Sequence, residues 1–250
     1  MLLLAVVPVV VILIYVYFKD QVNREPFGLL LLSFVMGVLS CFPASLMESM
    51  LEVSSPSGIL LAPLYTGFVE AGLCEELCKL AVLWIVTWRS RHFDEYFDGI
   101  VYAVYVSMGF ACLENVLYVF SGTSFGESIQ TAAMRAILSI PAHFLFAVAM
   151  GYYYSLARFT PRGRGSNFLK AFAVPWLLHG TFDAILLGVQ ELSGNGVGFQ
   201  TVQIVLFCLF VWFDIRLWKT GMRRIQTLQE LSRQQGFDSQ DPFRNFTWKF

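Results

Sequence analysis

Long apolar runs separated by short polar connectors dominate the amino-acid sequence. A helix needs about 20 apolar residues to cross the roughly 30 Å hydrocarbon core of a bilayer, and runs of that length recur along the chain. The pattern predicts an all-α polytopic membrane protein with seven transmembrane helices. The predicted spans are Leu2–Phe18, Phe27–Met47, Ile59–Trp88, Asp98–Phe120, Thr131–Ala157, Phe168–Val189 and Gly198–Trp218.

Composition agrees with a membrane location. Only 14% of the 250 residues are charged and 56% are hydrophobic, whereas a soluble domain carries about 25% charged residues. The basic residues are spread among the connectors instead of forming a patch, so no nucleic acid partner is expected. All five cysteines lie inside apolar segments, which argues against a disulfide framework.

The distribution of basic residues predicts the orientation of the chain. Lys and Arg follow the first, third, fifth and last spans, but the connectors Glu48–Gly58, Ser121–Gln130 and Gln190–Phe199 contain none. The positive-inside rule then predicts an external N-terminus and a cytoplasmic C-terminus in the cell membrane. No basic region precedes the first span, so we expect it to be retained instead of being cleaved as a signal peptide.

The sequence divides into a transmembrane domain, residues 1–218, and a tail, residues 219–250. In the tail, Met222, Ile225, Leu228 and Leu231 recur at helical spacing among basic residues. This pattern fits an interfacial helix lying on anionic headgroups and, equally well, a simple continuation of the last span. The polar segment Gln234–Phe250 is expected to be a loose end.

Seven ionisable side chains interrupt the most apolar stretches. A charge at the bilayer centre costs about 2.5 to 3.5 kcal/mol, so such a set must be offset by pairing, a metal or chemistry. With a rise of 1.5 Å per residue, those on the third to sixth spans lie about 17 to 24 Å from the predicted cytoplasmic ends of their helices. They are Glu75, Glu76, Lys79, Glu114, His143, His179 and Asp183.

Helical phase brings these groups onto common faces. At 100° per residue, Glu75, Glu76 and Lys79 occupy one arc, and Asn115 lies beside Glu114 on the next span. Asp183 follows His179 by four residues, so its carboxylate can orient the imidazole. His143 is followed at intervals of four by Ala147 and Gly151, a small-residue surface that permits close helix approach.

These residue types support two routes to hydrolysis. Histidines and carboxylates from different helices suit a Zn²⁺-type ion that activates water and polarises a carbonyl, with a remaining glutamate as general base. Without a metal, a glutamate activates water directly while histidine and asparagine stabilise the oxyanion. Cys74 and Cys78 have ligand-like spacing, but cysteine commonly packs as a small apolar residue, and ligation is not expected.

Four spaced motifs lie within residues 70–185. They are Glu75-Glu76-x-x-Lys79, Phe110-x-x-x-Glu114-Asn115, His143 with Gly151 eight residues later, and His179-x-x-x-Asp183. Together they resemble the motifs of the PrsW-type membrane proteases, which are distantly similar to the type II CAAX prenyl endopeptidases and other Abi proteins. Where the prenyl proteases have histidine in the second motif, this chain has Glu114. The resemblance implies cleavage of a membrane-anchored protein, in bacteria the first cut of an anti-sigma factor.

The residues and the resemblance together predict an intramembrane protease acting on a single-pass membrane protein. Its expected catalytic residues are Glu75, Glu76 and His179. Glu114, His143 and His179 are the expected ligands of a divalent metal, Zn²⁺, or the donors to an oxyanion. Lys79, Asn115 and Asp183 are expected to support them by balancing charge, donating to the oxyanion or orienting a ring.

Other interpretations remain open at this stage. A proton- or ion-coupled transporter or channel would use similar mid-membrane carboxylates and histidines, but it would favour broken helices or an inverted repeat. A silent scaffold explains the polar cluster poorly. Glu70 and Arg135, nearer the predicted external face, are either gate or substrate contacts or interfacial structural residues.

Overall fold

A computed structural model describes residues 1–193 and 200–240 of the protein. Within these ranges all regular secondary structure is helical, as predicted. The helices are α1 (Leu2–Lys19), α2 (Phe27–Glu52), α3 (Leu61–Tyr65), a π-helical segment (Thr66–Gly72), α4 (Leu73–Thr87), α5 (Asp98–Phe120), α6 (Phe125–Ile137), α7 (Ser139–Phe159), α8 (Arg164–Ser193) and α9 (Gln200–Gln240).

Six helical stretches in the described residues are long and apolar enough to cross a membrane. This confirms the prediction of an all-α, multi-pass membrane protein. They correspond to six of the seven predicted spans, although their bounds differ in places. The six are Leu2–Lys19, Phe27–Glu52, Asp98–Phe120, Phe125–Phe159, Arg164–Leu192 and Gln200–Gly236.

The remaining predicted span, Ile59–Trp88, consists of three consecutive pieces: α3, the π-helical segment and α4. Within the π-helical segment, Gly67 lies against α8 so closely that an added Cβ atom would be 2.7 Å from the Gly180 carbonyl oxygen. The Phe68 carbonyl oxygen accepts a 2.7 Å hydrogen bond from Trp176 Nε1, also on α8. The wider turn is therefore held by contacts with a neighbouring helix, and such bulges are frequent at functional sites.

The fifth span begins earlier than the predicted Thr131, and it is interrupted. Its first helix, α6, starts at Phe125, where the Ser124 side chain caps the Glu127 amide at 3.2 Å. The helical hydrogen-bond pattern is interrupted at Leu138, which has φ −108° and ψ −65°. Pro141 has no N–H to donate back to the preceding turn, so α7 starts as a separate helix.

Helix α5 forms the centre of the bundle, and its residues 98–111 are all buried. Close approach depends on glycines: a Cβ atom on Gly37 of α2 would strike the Val106 carbonyl of α5, and one on Gly151 of α7 would strike Gly99 of α5. The predicted small-residue surface of the fifth span is thereby confirmed.

The tail continues the last transmembrane helix, which is the second of the two structures that its sequence fitted. Helix α9 runs without a break across residue 218 to Gln240. Ile225 and Leu228 are buried against the protein instead of facing outward, and Gln229 Nε2 donates to the Lys19 carbonyl oxygen at 2.6 Å. Residues 234–240, part of the segment predicted to be a loose end, continue α9, while residues 241–250 lie outside the described part.

Candidate active site

Helix α4 carries three of the predicted site residues immediately after the π-helical segment. Lys79 Nζ lies 2.8 Å from Glu75 Oε2 and 2.9 Å from Glu76 Oε1. All three side chains are buried, and the ammonium also lies 4.2 Å from the ring centre of Phe110 on α5. The buried ammonium offsets the repulsion between the adjacent carboxylates, the charge-balancing role expected of Lys79.

His179 on α8 faces this group. Its Nδ1 atom lies 2.9 Å from Glu76 Oε1, and its Nε2 atom lies 3.1 Å from Asp183 Oδ2. The ring stacks on Phe146 of α7 with 4.9 Å between centroids. Asp183 therefore contacts the imidazole as predicted, and the ring is held on both edges and on one face.

His143 on α7 approaches the same group from another side. Its Nδ1 atom lies 3.3 Å from Lys79 Nζ, and its Nε2 atom lies 2.9 Å from Glu114 Oε2. An ammonium only donates, so Nδ1 accepts from Lys79, while Nε2 faces the Glu114 carboxylate. The Nδ1 atoms of both histidines therefore point towards the α4 carboxylates and ammonium.

Arg135 on α6 is a member of the cluster that sequence reasoning did not include in the site. Its guanidinium lies 2.9 Å from Glu114 Oε2, and its Nε atom donates to Asn115 Oδ1 at 2.8 Å. The Asn115 amide in turn donates to the Ala5 carbonyl oxygen at 2.6 Å. The useful signal was the presence of an arginine inside an apolar stretch, which is costly without a partner.

Asn115 does not line the cavity beside the site, because both ends of its amide contact Arg135 and α1. Nothing in its position brings it to the α4 carboxylates. Cys74 and Cys78 are free thiols. The Cys74 thiol contacts the Val69 carbonyl, whereas Cys78 packs in a small apolar cluster with Cys41 and Phe110.

A cavity of about 510 Å³ leads to these groups. It extends along α6 and the end of α8, away from the connectors that carry the basic residues. Under the predicted orientation, this mouth is external. Its polar lining residues include Glu75, Glu114, Glu127, Gln130, Arg135, His143, His179, Asp183 and Gln190.

Three of the site residues could hold a metal ion, although Lys79 Nζ contacts donor atoms of Glu76 and His143. Ligand atoms of Glu75, Glu76 and His143 all lie within 4.8 Å of one another, and the buried Glu76 Oε2 accepts no hydrogen bond. Nitrogen and carboxylate donors suit an ion of the zinc type. This set shares His143 with the ligands predicted from the sequence and contains Glu75 and Glu76 in place of Glu114 and His179.

A multi-pass helical bundle that holds carboxylates and histidines at the inner end of a cavity has the organisation of an intramembrane hydrolase. Its buried acids contact histidines on neighbouring helices. Such groups can activate water and stabilise the charge that develops during hydrolysis. The model of the PrsW family of intramembrane metalloproteases matches residues 25–213. The chain therefore belongs to this family.

Curated relatives support the same assignment. Protease PrsW of Geobacillus kaustophilus is 34% identical over 230 residues, 92% of each chain. Protease PrsW of Bacillus subtilis is 34% identical over 83% of this chain and 88% of the relative, and that of Clostridioides difficile is 33% identical over 92% of both. No solved structure matches the chain significantly.

Proposed function

We propose that this protein is an endopeptidase that makes the first cut in a membrane-anchored, anti-sigma-factor-like protein on the external side of the cell membrane. The observation that carries the proposal is the position of Glu75 and both histidines at the inner end of the cavity of about 510 Å³. Sites of about 300 to 1,000 Å³ are typical of small ligands and cofactors, and this one has space for a short stretch of extended peptide.

In this proposal Glu75 is the general base. Glu75 lines the cavity, whereas Glu76 does not and contacts Lys79 and His179 instead. Glu75 removes a proton from the attacking water and returns it to the amine that leaves. A positioned acid or base of this kind contributes about 10²- to 10⁴-fold to the rate.

We further propose a Zn²⁺ ion held by Glu76 and His143, two members of the converging set, and by His179, whose Nδ1 atom lies 2.9 Å from Glu76 Oε1. The third member of that set, Glu75, is then left as the base. Each histidine directs Nε2 at an outer carboxylate, Glu114 or Asp183, and Nδ1 at the α4 group. This is the arrangement of metal-binding histidines whose second nitrogen is held by a carboxylate. Glu114 then orients His143 instead of binding the ion itself. When bound, Zn²⁺ would polarise the scissile carbonyl and acidify water.

Cleavage of a single-pass reporter by the purified protein in proteoliposomes tests the proposal. Glu75→Gln should lower the cleavage rate by at least ~100-fold, while Glu52→Gln, a matched change at an exposed carboxylate at the end of α2 and outside the cavity, should leave it within a few-fold. Full cleavage by both Glu75→Gln and Glu76→Gln would overturn the proteolytic mechanism and favour transport.

Metal analysis of the same preparations tests the zinc part separately. We expect stoichiometric zinc in the parent protein and its loss in His143→Ala and His179→Ala. Protein without zinc that retains full, chelator-resistant cleavage would overturn the metal proposal and leave a mechanism based on glutamate alone.

A further inference from the structure

A second group of buried acids lies at the end of the bundle opposite the cavity mouth. Helix α1 ends there at Lys19, and helix α5 begins there at Asp98. The acidic cluster consists of Asp20, Glu25, Glu95 and Asp98, whose exposed fractions are 1%, 4%, 5% and 0%. None of the four lines the catalytic cavity, and the proposed reaction does not use them.

The carboxylates converge although they come from distant parts of the chain. Ligand oxygens of Asp20, Glu95 and Asp98 lie within 4.8 Å of one another. Glu25 is adjacent, since it accepts a hydrogen bond from the Tyr102 hydroxyl of α5 and its carboxyl group also lies against Asp98. The cluster thus joins the α1–α2 connector to the start of α5.

Backbone amides hold one oxygen of each aspartate and leave the other free. Asp20 Oδ2 accepts from the Glu25 amide at 3.0 Å, and Asp98 Oδ2 accepts from the amides of Asp94 and Glu95 at 2.9 and 2.8 Å. The buried oxygens Asp20 Oδ1, Asp98 Oδ1 and Glu25 Oε1 accept no hydrogen bond. The aspartates are therefore fixed in orientation with a free acceptor each.

In the described part of the chain no basic side chain forms an ion pair with the acidic cluster, and the nearby Arg24 donates its Nε to the backbone carbonyl oxygen of Asp20 at 3.4 Å. Among the described residues, no Lys, Arg or His nitrogen lies within 4.0 Å of its carboxylates, although seven such contacts occur around the active site. Burial raises the pKa of both Glu25 and Glu95 to about 7. Unpaired buried carboxylates are unfavourable when ionised, and a bound cation would remove that cost.

We infer that the acidic cluster is a binding site for a hard divalent cation, Ca²⁺ or Mg²⁺. Its donors are oxygens alone, which such cations prefer and which disfavour zinc. Oxygens bound to one Ca²⁺ at about 2.3 to 2.6 Å lie no more than about 5 Å apart, in agreement with the observed spread. Proton sharing neutralises one adjacent pair of carboxyls, but here four buried acids lie close together and three of their oxygens accept no hydrogen bond.

The bound cation stabilises the contact between this end of the bundle and α9. The Phe97 amide, next to Asp98, donates to Ser232 Oγ of α9 at 2.8 Å. Gln235 of α9 donates to the Asp94 carbonyl oxygen at 2.8 Å. A cation that fixes the start of α5 therefore also fixes the surface on which the last helix packs.

Calorimetric titration and thermal unfolding of the chelator-treated full-length protein test this inference. A His143→Ala/His179→Ala background removes the histidine ligands proposed for the active site. Titration with CaCl₂ and, separately, MgCl₂ should give one equivalent bound for at least one cation, with an unfolding midpoint raised by several degrees. Comparison of the two affinities then identifies the preferred ion.

Variants identify the site. In the same background, Asp20→Asn and Glu95→Gln should each weaken cation affinity by at least ~10-fold, because each removes a charged ligand. Each should also abolish the rise in the unfolding midpoint that the cation causes. Asp94→Asn, a change at the exposed acid next to Glu95, should retain both the cation affinity and the rise in the unfolding midpoint. The inference is overturned if the background protein binds neither cation, or if acidification alone reproduces the stabilisation while both cations have no effect.

Discussion

His179 Nδ1 on α8 lies 2.9 Å from Glu76 Oε1 on α4, 103 positions earlier in the chain. This contact joins the two helices at the level of the site, and Asp183 holds the opposite edge of the same ring at 3.1 Å. The position of the imidazole is therefore determined jointly by its own helix and by a neighbouring one. Any change that separates α4 from α8 should disturb the site without altering its residues.

Asp183→Ala should weaken metal affinity without eliminating it. Asp183 holds the Nε2 edge of His179, and loss of such an outer carboxylate typically costs about 10- to 100-fold in metal affinity. Competition with a zinc chelator measures the effect. Thr181→Ala on the same helix, where the hydroxyl only bonds the Leu177 carbonyl, is the control. Equal affinities in the two variants would contradict the orienting role.

Gly67→Ala should lower both stability and cleavage. An added Cβ atom would lie 2.7 Å from the Gly180 carbonyl oxygen and 2.8 Å from the Ala184 amide, so the π-helical segment must move away from α8. We expect at least a ~10-fold loss of cleavage, because misplacement of catalytic groups by about 1 Å costs up to 10²-fold. Reporter cleavage and thermal unfolding measure the two effects.

Gly165→Ala provides the matched control, because nothing lies within 4 Å of its added Cβ atom. It should leave cleavage unchanged. A Gly67→Ala variant with the same activity and unfolding midpoint as Gly165→Ala would show that the close approach of the two segments is not required.

Lys79→Met should destabilise the protein by about 3 to 5 kcal/mol, because removal of one partner leaves buried carboxylates without a counter-charge. Denaturant unfolding in detergent measures the change. Adding Glu75→Gln and Glu76→Gln to Lys79→Met should recover much of the loss, since the carboxylate charges are then gone. A triple variant no more stable than Lys79→Met would indicate that Lys79 acts mainly through packing against Phe110.

A reporter fused after residue 250 should behave as cytoplasmic, and one inserted in Ser121–Gln130 should behave as external. The reason is that basic residues follow the first, third, fifth and last spans only. A third insertion beside Arg89 is the internal control and should match the C-terminal fusion. An external reading at residue 250 would contradict both the orientation and the external cavity mouth.

Several features of the site follow from local sequence. The i, i+3 and i, i+4 spacing of Glu75, Glu76 and Lys79 places three groups on one helical face, and the structure has them in contact. The spacing of His179 and Asp183 predicts their contact in the same way. Helical periodicity and apolar length are properties of consecutive residues, so the sequence determined the helical class, most spans and the identity of the polar cluster.

Tertiary structure alone decided the remaining features. The π-helical segment depends on packing against Gly180, the pairing of Arg135 with Glu114 depends on how α6 lies across α5, and the acidic cluster joins Asp20 to Asp98 across the fold. These contacts depend on helix rotation and on the close approach of backbones distant in the chain. Such relationships leave no periodic signal in the residues that make them, because each is set by the packing partner.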